Sequence, residues 1–538
     1  MPSLVQLMRR ALYFLDSYTY EHLLSPLGRR LYIVCASMYI KCMTVFSRSE
    51  HRFLASVARL GYCNPFTPER VELERAALGP DFVAGGPIWS VSVNDPDTTR
   101  PNVVRLHQKL PSVIETMRAR LSAASETSAE ELAIYEECVH GLLYQRYYDH
   151  LVSGHGKYGF YRDFLADWNR LCHIPEKQFR SDLDPAHVFA CFRQIQRAFH
   201  HIYDYIIGNS MPTAALRASI WQSIFTHDMR RYRRTLYRKM GEFPTLITGP
   251  SGTGKELIAR AIAGSRYIPF DAERMEFADS PNESFLPINI AALSPALIES
   301  ELFGHRRGSF TGAVGDRKGW LEACPSTGSV FLDELGEMDL SLQVKLLRVI
   351  ETRRFSAVGD TATREFKGKL IAATNRDLPS EIHARRFRED LYYRLCADLI
   401  HTPSLADQIQ DSPGVLRELL HYMTLRTVGD EAERCLPEVE EWIDTHLPAG
   451  YTWPGNFREL EQCVRNVIIR RSYLPIAERP VAHEDTFTIR FHAGELTADE
   501  VLSHYAAQVY RITGSYEATA RRLGLDRRTV KAKLSKRS

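Results

Sequence analysis

The sequence predicts a multidomain α/β protein, with an α/β core in the middle, a mainly α-helical region before it and a small basic helical unit after it. Three observations support this. The run "FPTLITGPSGTGKELIARAIAG", Phe243 to Gly264, passes from a short β-rich stretch through a glycine loop into a helix-period stretch. From there to about Ala397, apolar runs such as "GSVFLDE" and "KLIAATN" alternate with helical text, as they do in an α/β sheet. The 538 residues also exceed one ordinary core, since roughly 150 residues per domain gives about three or four units.

Residues 1–219 read as the mainly α region, of a type the sequence does not declare. In "EELAIYEECVHGLLYQRYYDHLV", Leu132, Tyr135, Val139, Leu142 and Leu143 recur at helical spacing. The segment "VAGGPIWSVSVNDPDTTRPN" interrupts the pattern as a loop. His140, His150 and His155 match no metal motif and read as ordinary helix residues. The apolar run Leu31 to Phe46 contains Lys41 and is short for a membrane span, so it predicts a buried helix. No signal-peptide pattern opens the chain. The ten cysteines are scattered without a C-x-x-C pair, which favours a reducing cytoplasm over a disulfide framework or a metal knuckle. With a formal net charge of +2, no global field points to a membrane or nucleic acid, so any such signal is local.

The α/β core, residues 220–400, carries the chemistry. In the run Gly249, Pro250, Ser251, Gly252, Thr253, Gly254, Lys255, Glu256, the glycines let backbone N–H groups curl toward phosphate oxygens, and Lys255 supplies a cation for the outer phosphates. The following helix aims its positive end at the same anions. Glu256 stands where a Ser or Thr hydroxyl usually touches magnesium, so another group must help hold the metal. The strand in "GSVFLDE" delivers Asp333, suited to Mg²⁺, and Glu334, suited to polarising an attacking water. "KLIAATNRDL" ends a strand with Thr374 and Asn375, polar groups suited to sensing a γ-phosphate. Arg388 and Arg394 in "FREDLYYRL" are surface charges in a chain acting alone, or arginine fingers in a ring of ATPases.

A second helical stretch, 401–474, follows the core, then a linker at 475–495. Residues 496–538 hold two short helical patterns separated by Gly524, a helix-turn-helix arrangement. Asp526 is the expected N-cap of the second helix, Val530 and Leu534 its inner face, and Arg527, Arg528 and Lys531 its outer face near the start. From Tyr505 onward there are nine Lys or Arg and two acids, the charge a DNA-groove reader needs.

Taken in order, "GPSGTGKE", "ESELFGHRRGSFTGA", "GSVFLDE", "AATNRDL", "FREDLYYRL" and "WPGNFRELEQCVRN" resemble the bacterial enhancer-binding proteins, the AAA+ activators of sigma-54 RNA polymerase. The resemblance covers roughly Ile220 to Ser472, and the tail resembles their Fis-type helix-turn-helix. It implies an AAA+ αβα sandwich with a helical lid, which binds ATP with Mg²⁺ and assembles into a ring, a hexamer. Lys255, Asp333 and Glu334 resemble the P-loop lysine and the Walker B acids. Asn289 is similar to the asparagine that restrains the catalytic glutamate. Asn375 and Arg458 resemble the two sensors, and Arg388 and Arg394 the trans-acting fingers. The loop Gly308, Ser309, Phe310, Thr311, Gly312, Ala313 resembles the element that grips sigma-54.

Three departures stand out. Ser309 replaces the usual alanine of that loop, "YIPFDAERMEFADSPNESF" is longer than the family norm, and "LCADLIHTPSLADQ" lacks an arginine-rich continuation. The implied function is ATP-driven opening of sigma-54 promoters from an upstream double-stranded DNA site, in the cytoplasm and without a membrane partner. Its rivals are a helix-turn-helix regulator acting by DNA occupancy, whose AAA+ domain serves assembly alone, and an AAA+ remodeller with another client.

Overall fold

A computed structural model describes residues 45–85, 100–153, 158–179, 183–278, 284–310, 313–475 and 494–535. The expected linker and nearly all of the apolar run at Leu31 to Phe46 lie outside the described residues. The chain divides into two compact units, Met1–Ser472 and Tyr473–Ser538.

The strands of the first unit are β1 (Thr245–Thr248), β2 (Phe270–Asp271), β3 (Glu276–Phe277), β4 (Phe285–Asn289), β5 (Gly304–His305) and β6 (Arg317–Lys318), followed by β7 (Ser329–Asp333), β8 (Arg354–Phe355), β9 (Arg364–Glu365), β10 (Lys369–Thr374) and β11 (Leu399–His401). Five of them form a parallel sheet in the order β11-β1-β10-β7-β4. The pairs β2–β3, β5–β6 and β8–β9 are short antiparallel hairpins.

Parallel strands are covered on both faces, and their residues sort accordingly. Leu246, Val330, Leu332, Leu370 and Ala372 face the helices Pro295–Phe303, Leu340–Thr352 and Glu389–Leu395. Their neighbours Ile247, Phe331, Ile371, Ala373 and Ile400 face the other side, against the P-loop helix Lys255–Gly264 and the helices Pro185–Tyr205 and Met211–Phe225. Because the strands are parallel, Thr248, Asn289, Asp333, Thr374 and His401 line one edge, with Asn289 in register with Asp333 and Thr248 with both Thr374 and His401. Ligands of open α/β sheets bind at that edge.

The preceding region is helical as expected. Its helices run Arg48–Leu60, Pro68–Leu78, Pro101–Ala123, Ala129–Ser153 and Tyr161–Cys172 before the two that cover the sheet. Leu132, Tyr135, Val139, Leu142 and Leu143 are all buried. His140 is buried too and stacks on Trp168 at 5.2 Å between ring centroids. His150 is exposed, and His155 lies outside the described residues. The boundary expected at residue 219 falls inside the helix Met211–Phe225, whose Trp221 and Phe225 share a core with the sheet.

Beyond β11, Ser404 opens the helix Leu405–Asp411 with a capping box to Asp407, so this start is held without the arginine-rich text. The helices Gly414–Val428, Ala432–His446 and Asn456–Arg470 complete a lid over Leu419, Val439, Leu460 and Val464.

Among the described residues the second unit has three helices, Ala498–Thr513, Tyr516–Leu523 and Arg527–Ser535. Gly514 and Gly524 end the first two in the left-handed region, at φ 63° and 67°, where glycine is favoured. Ala506, Val509, Thr519, Ala520 and Val530 form the buried centre.

Candidate nucleotide site, partner loop and DNA-reading unit

The glycine loop leaves β1 and enters the helix Lys255–Gly264 through three positive-φ glycines, Gly249 at 139°, Gly252 at 78° and Gly254 at 85°. Each allows a turn that a side chain would strain. A Cβ on Gly249 would also run into Thr402, and one on Gly252 into the Gly455 carbonyl, so the loop is pressed between the end of β11 and the start of the lid. Thr253 Oγ1 donates to the Pro250 carbonyl at 2.9 Å and lies 2.7 Å from Thr402 Oγ1. Asn456 Nδ2 donates to the Ser251 carbonyl at 2.9 Å, and its Oδ1 accepts from the Leu405 N–H at 2.8 Å. Neither Thr402 nor Asn456 carries a local signal of this contact; Asn456 ends the "WPGN" string, 205 residues from its partner Ser251.

Lys255 Nζ donates to the Gly249 and Pro250 carbonyls at 3.0 and 2.9 Å. Burial pushes its ammonium below the ordinary lysine range, a shift that the Glu334 and Asp333 carboxylates oppose. Asp333 ends β7 half-buried, and burial raises its carboxyl although the Glu334 N–H, at 3.0 Å, and Lys255 pull it down. Glu334 follows in the left-handed region at φ 54°. Arg458, on the lid helix, packs beside Gly252, and its charge acts on both Lys255 and Asp333. Loop, cation, acid pair and lid arginine thus converge at the sheet edge, an arrangement suited to phosphate chains.

Four expected residues have other contacts. Glu256 pairs with Arg260 one turn along at 2.7 Å. Asn289 stands beside Asp333, but its Oδ1 accepts the Ala292 N–H at 3.2 Å, capping its own turn. Arg388 binds Asp390 at 2.6 Å and Arg394 binds Glu351 at 3.0 Å, both at the surface. Asn375 is exposed just beyond β10.

The loop around Phe310 springs from β5 and returns through β6. Gly308, at φ 78°, donates its N–H to the Ala313 carbonyl at 2.9 Å, and the Ala313 N–H reaches the Phe310 carbonyl at 3.0 Å. Phe310 is 38% exposed, its ring edge-on to His305 at 5.0 Å. Among the described residues Ser309 Oγ is buried without a hydrogen-bond partner, and a Cβ on Gly359 would strike the Ser309 side chain. Thr311 and Gly312 lie outside the described residues. Arg306 braces the base, pairing with Asp316 at 2.5 Å and with Asp360, between β8 and β9, at 3.0 Å.

In the second unit Asp526 caps the last helix, accepting the Thr529 N–H at 2.9 Å. Val530 is fully buried, and Arg527, Arg528 and Lys531 are exposed. Arg527 meets Glu517 at 3.1 Å.

Sheet order, glycine loop, strand-end acids and helical lid define an AAA+ P-loop domain. Residues 224–401 match the family described as "Sigma-54 interaction domain". The chain is 43% identical over 224 residues to the regulatory protein LuxO of Vibrio parahaemolyticus, a match covering 41% of this chain and 45% of LuxO. It is 37% identical over 298 residues to the transcriptional regulatory protein ZraR of Klebsiella oxytoca, covering 54% of this chain and 63% of ZraR. The match thus spans 45% of the length of one relative and 63% of the other. Among solved structures, NtrX from Brucella abortus in complex with ADP aligns at TM-score 0.39 and 22% identity, over 74% of this chain and 86% of that one. Among the described residues no helix is long and apolar enough to cross a membrane.

Proposed function

We propose that the chain is an ATP-hydrolysing transcription activator that binds DNA upstream of a promoter and remodels sigma-54 RNA polymerase holoenzyme to open it. The observation that carries this reading is the pairing of a glycine-loop nucleotide site with a braced, outward Phe310 loop on one Sigma-54 interaction domain. Asp333 supplies a desolvated carboxylate oxygen beside Lys255, a donor that fits Mg²⁺ together with ATP phosphate oxygens. The ion would neutralise phosphate charge. Glu334 is the group we assign to orienting water, with Asn289 its restraint, Asn375 a γ-phosphate sensor and Arg458 the lid's sensor.

Arg388 and Arg394 are exposed and held by surface acids, and we assign them to exchange those partners for a neighbouring subunit's nucleotide in a ring, which we take to be a hexamer. We assign DNA contact to Arg527, Arg528 and Lys531, and place the chain in the cytoplasm, where polymerase works. In this reading the region before the sheet is regulatory, the sheet and lid are the motor, and the last three helices are the tether.

The test combines the purified chain, sigma-54 holoenzyme, promoter DNA with an upstream site, ATP and Mg²⁺, and follows promoter opening by single-strand footprinting. Opening is expected with ATP and not with a non-hydrolysable analogue. Equal opening with the analogue would favour action by DNA occupancy.

A further inference from the structure

Two of the contacts between the helical region and the motor lie next to the P-loop helix in sequence. The first is the carbonyl end of that helix. Arg197, on the helix Pro185–Tyr205, donates to the Gly264 carbonyl at 3.0 Å and to the Arg266 carbonyl, while Gln194 Nε2 donates to the Ser265 carbonyl at 2.8 Å. Gln194 is itself held by the Tyr232 hydroxyl at 2.9 Å. A Cβ on Gly264 would strike His201, so the two helices meet as closely as glycine permits. Arg197 is buried, and among the described residues it hydrogen-bonds carbonyl oxygens and no carboxylate. Its charge meets the Gly264 carbonyl, the last of the helix, where the negative end of the dipole lies, and the Arg266 carbonyl just beyond it.

The second place is the stretch that exceeds the family norm. There β2 and β3 form a hairpin whose aromatic rings enter the helical core. Phe270 lies 4.7 Å from Phe189 and 4.8 Å from Tyr161, and Phe277 lies 4.9 Å from Tyr158, centroid to centroid. The hairpin separates the P-loop helix from β4, the strand that ends at Asn289. Both segments leading to the nucleotide site are therefore anchored in the helical region.

We propose that Arg197 is a positioning residue for the nucleotide, and that through it the helical region supports the ATPase instead of restraining it. The proposal rests on the nucleotide-site reading above. The P-loop helix is one rigid element about 15 Å long. Fixing its carbonyl end fixes the direction of its N-terminal end, where Gly254 and Lys255 must meet phosphates. Coupling of this kind is reciprocal, so nucleotide at one end must tighten the contact at the other.

Two measurements on the full chain test it. Arg197→Met should weaken ATP binding by about ten-fold and Arg197→Lys, which keeps the cation, by much less; a shift of this size is an ordinary coupling strength. A merely structural arginine would lower the melting temperature and leave the ATP affinity of the folded chain unchanged, which would overturn the proposal. Should Arg197→Met fail to fold, hydrogen exchange on the unaltered chain decides. Saturating ATP should slow exchange in residues 185–205, and unchanged exchange there, with ATP shown to be bound, would overturn the proposal alone. A chain that binds no ATP would overturn the nucleotide reading together with it.

Discussion

Asn456 joins the lid to the glycine loop, giving one hydrogen bond to the Ser251 carbonyl at 2.9 Å and taking another from the Leu405 N–H at 2.8 Å. It is buried and sits in the left-handed region at φ 53°, so the side chain and the backbone each constrain the replacement. Asn456→Gly keeps the backbone conformation and removes both bonds. Lost buried bonds of this kind cost about 1 to 3 kcal/mol. Nucleotide affinity should fall about ten-fold while the fold persists, as measured by equilibrium titration with a fluorescent ATP analogue. Unchanged affinity would make this contact incidental.

Lys255→Ala and Glu334→Gln should separate binding from hydrolysis. Without Lys255 Nζ the loop presents backbone N–H groups alone to the outer phosphates, so most ATP affinity should be lost. Glu334→Gln leaves the cradle intact and removes the group assigned to the water. It should bind ATP normally and hydrolyse it slower by about 10² to 10⁴. Single-turnover hydrolysis beside equilibrium binding distinguishes the two, and normal turnover by Glu334→Gln would remove that residue from the reaction.

Legibility in the sequence followed the range of the interaction. The glycine turn after β1 and the strand end at Asp333 were readable because the residues that form them stand within a few positions of one another. Asp526 and Val530 were readable from capping chemistry and helical spacing. Thr402 against Thr253, and Asn456 against Ser251, were not, since nothing local in a threonine or asparagine names a partner so distant in the chain. Helical periodicity showed that Leu132 and Tyr135 turn inward. It could not say that the helices ending at Phe225 lie against the sheet, or that Phe270 and Phe277 fill the helical core. The long stretch after the P-loop helix read as an anomaly of length, and only its aromatic contacts give it a role.

Glu137 and Arg233 give a pH signature to the region before the sheet. Both Glu137 oxygens accept from Arg233 Nη2 at 2.8 Å, and His140 lies 3.7 Å away. Burial raises the Glu137 carboxyl, but Arg233 and His140 outweigh it and hold the group at about 2. A carboxyl depressed in this way contributes stability that is complete above its unfolded value of roughly 4.3 and is lost as pH falls toward its folded value. Glu137→Gln strands a partly buried guanidinium and should cost up to about 3 kcal/mol near neutral pH, measured by urea unfolding. The gap from the unaltered chain should narrow between about pH 5 and about pH 3. A gap independent of pH would contradict the pairing.

The last helix offers a test of the tether. Arg527, Arg528 and Lys531 are exposed, and the ion pair of Arg527 with Glu517 is a surface pair. Replacing all three by alanine should abolish site-specific DNA retention while changing the stability of the unit by no more than about 1 kcal/mol. Gel-shift competition against non-specific DNA, with a melting curve on the same sample, measures both. Retained selectivity would place the DNA-reading face elsewhere.

In the proposed function the Phe310 loop transmits ATP energy to a partner and takes no part in the nucleotide site. Its base is braced by Arg306 and its aromatic tip stands out beside His305. The most direct measurement is the ATPase rate beside promoter opening for one variant, Thr311→Ala, with Phe310→Ala as its companion. The account expects ATP binding and hydrolysis to persist within a few-fold, because the loop contributes none of the groups assigned to phosphate or water, while nucleotide-dependent association with sigma-54 and promoter opening disappear. Normal promoter opening by either variant, alongside normal hydrolysis, would contradict it.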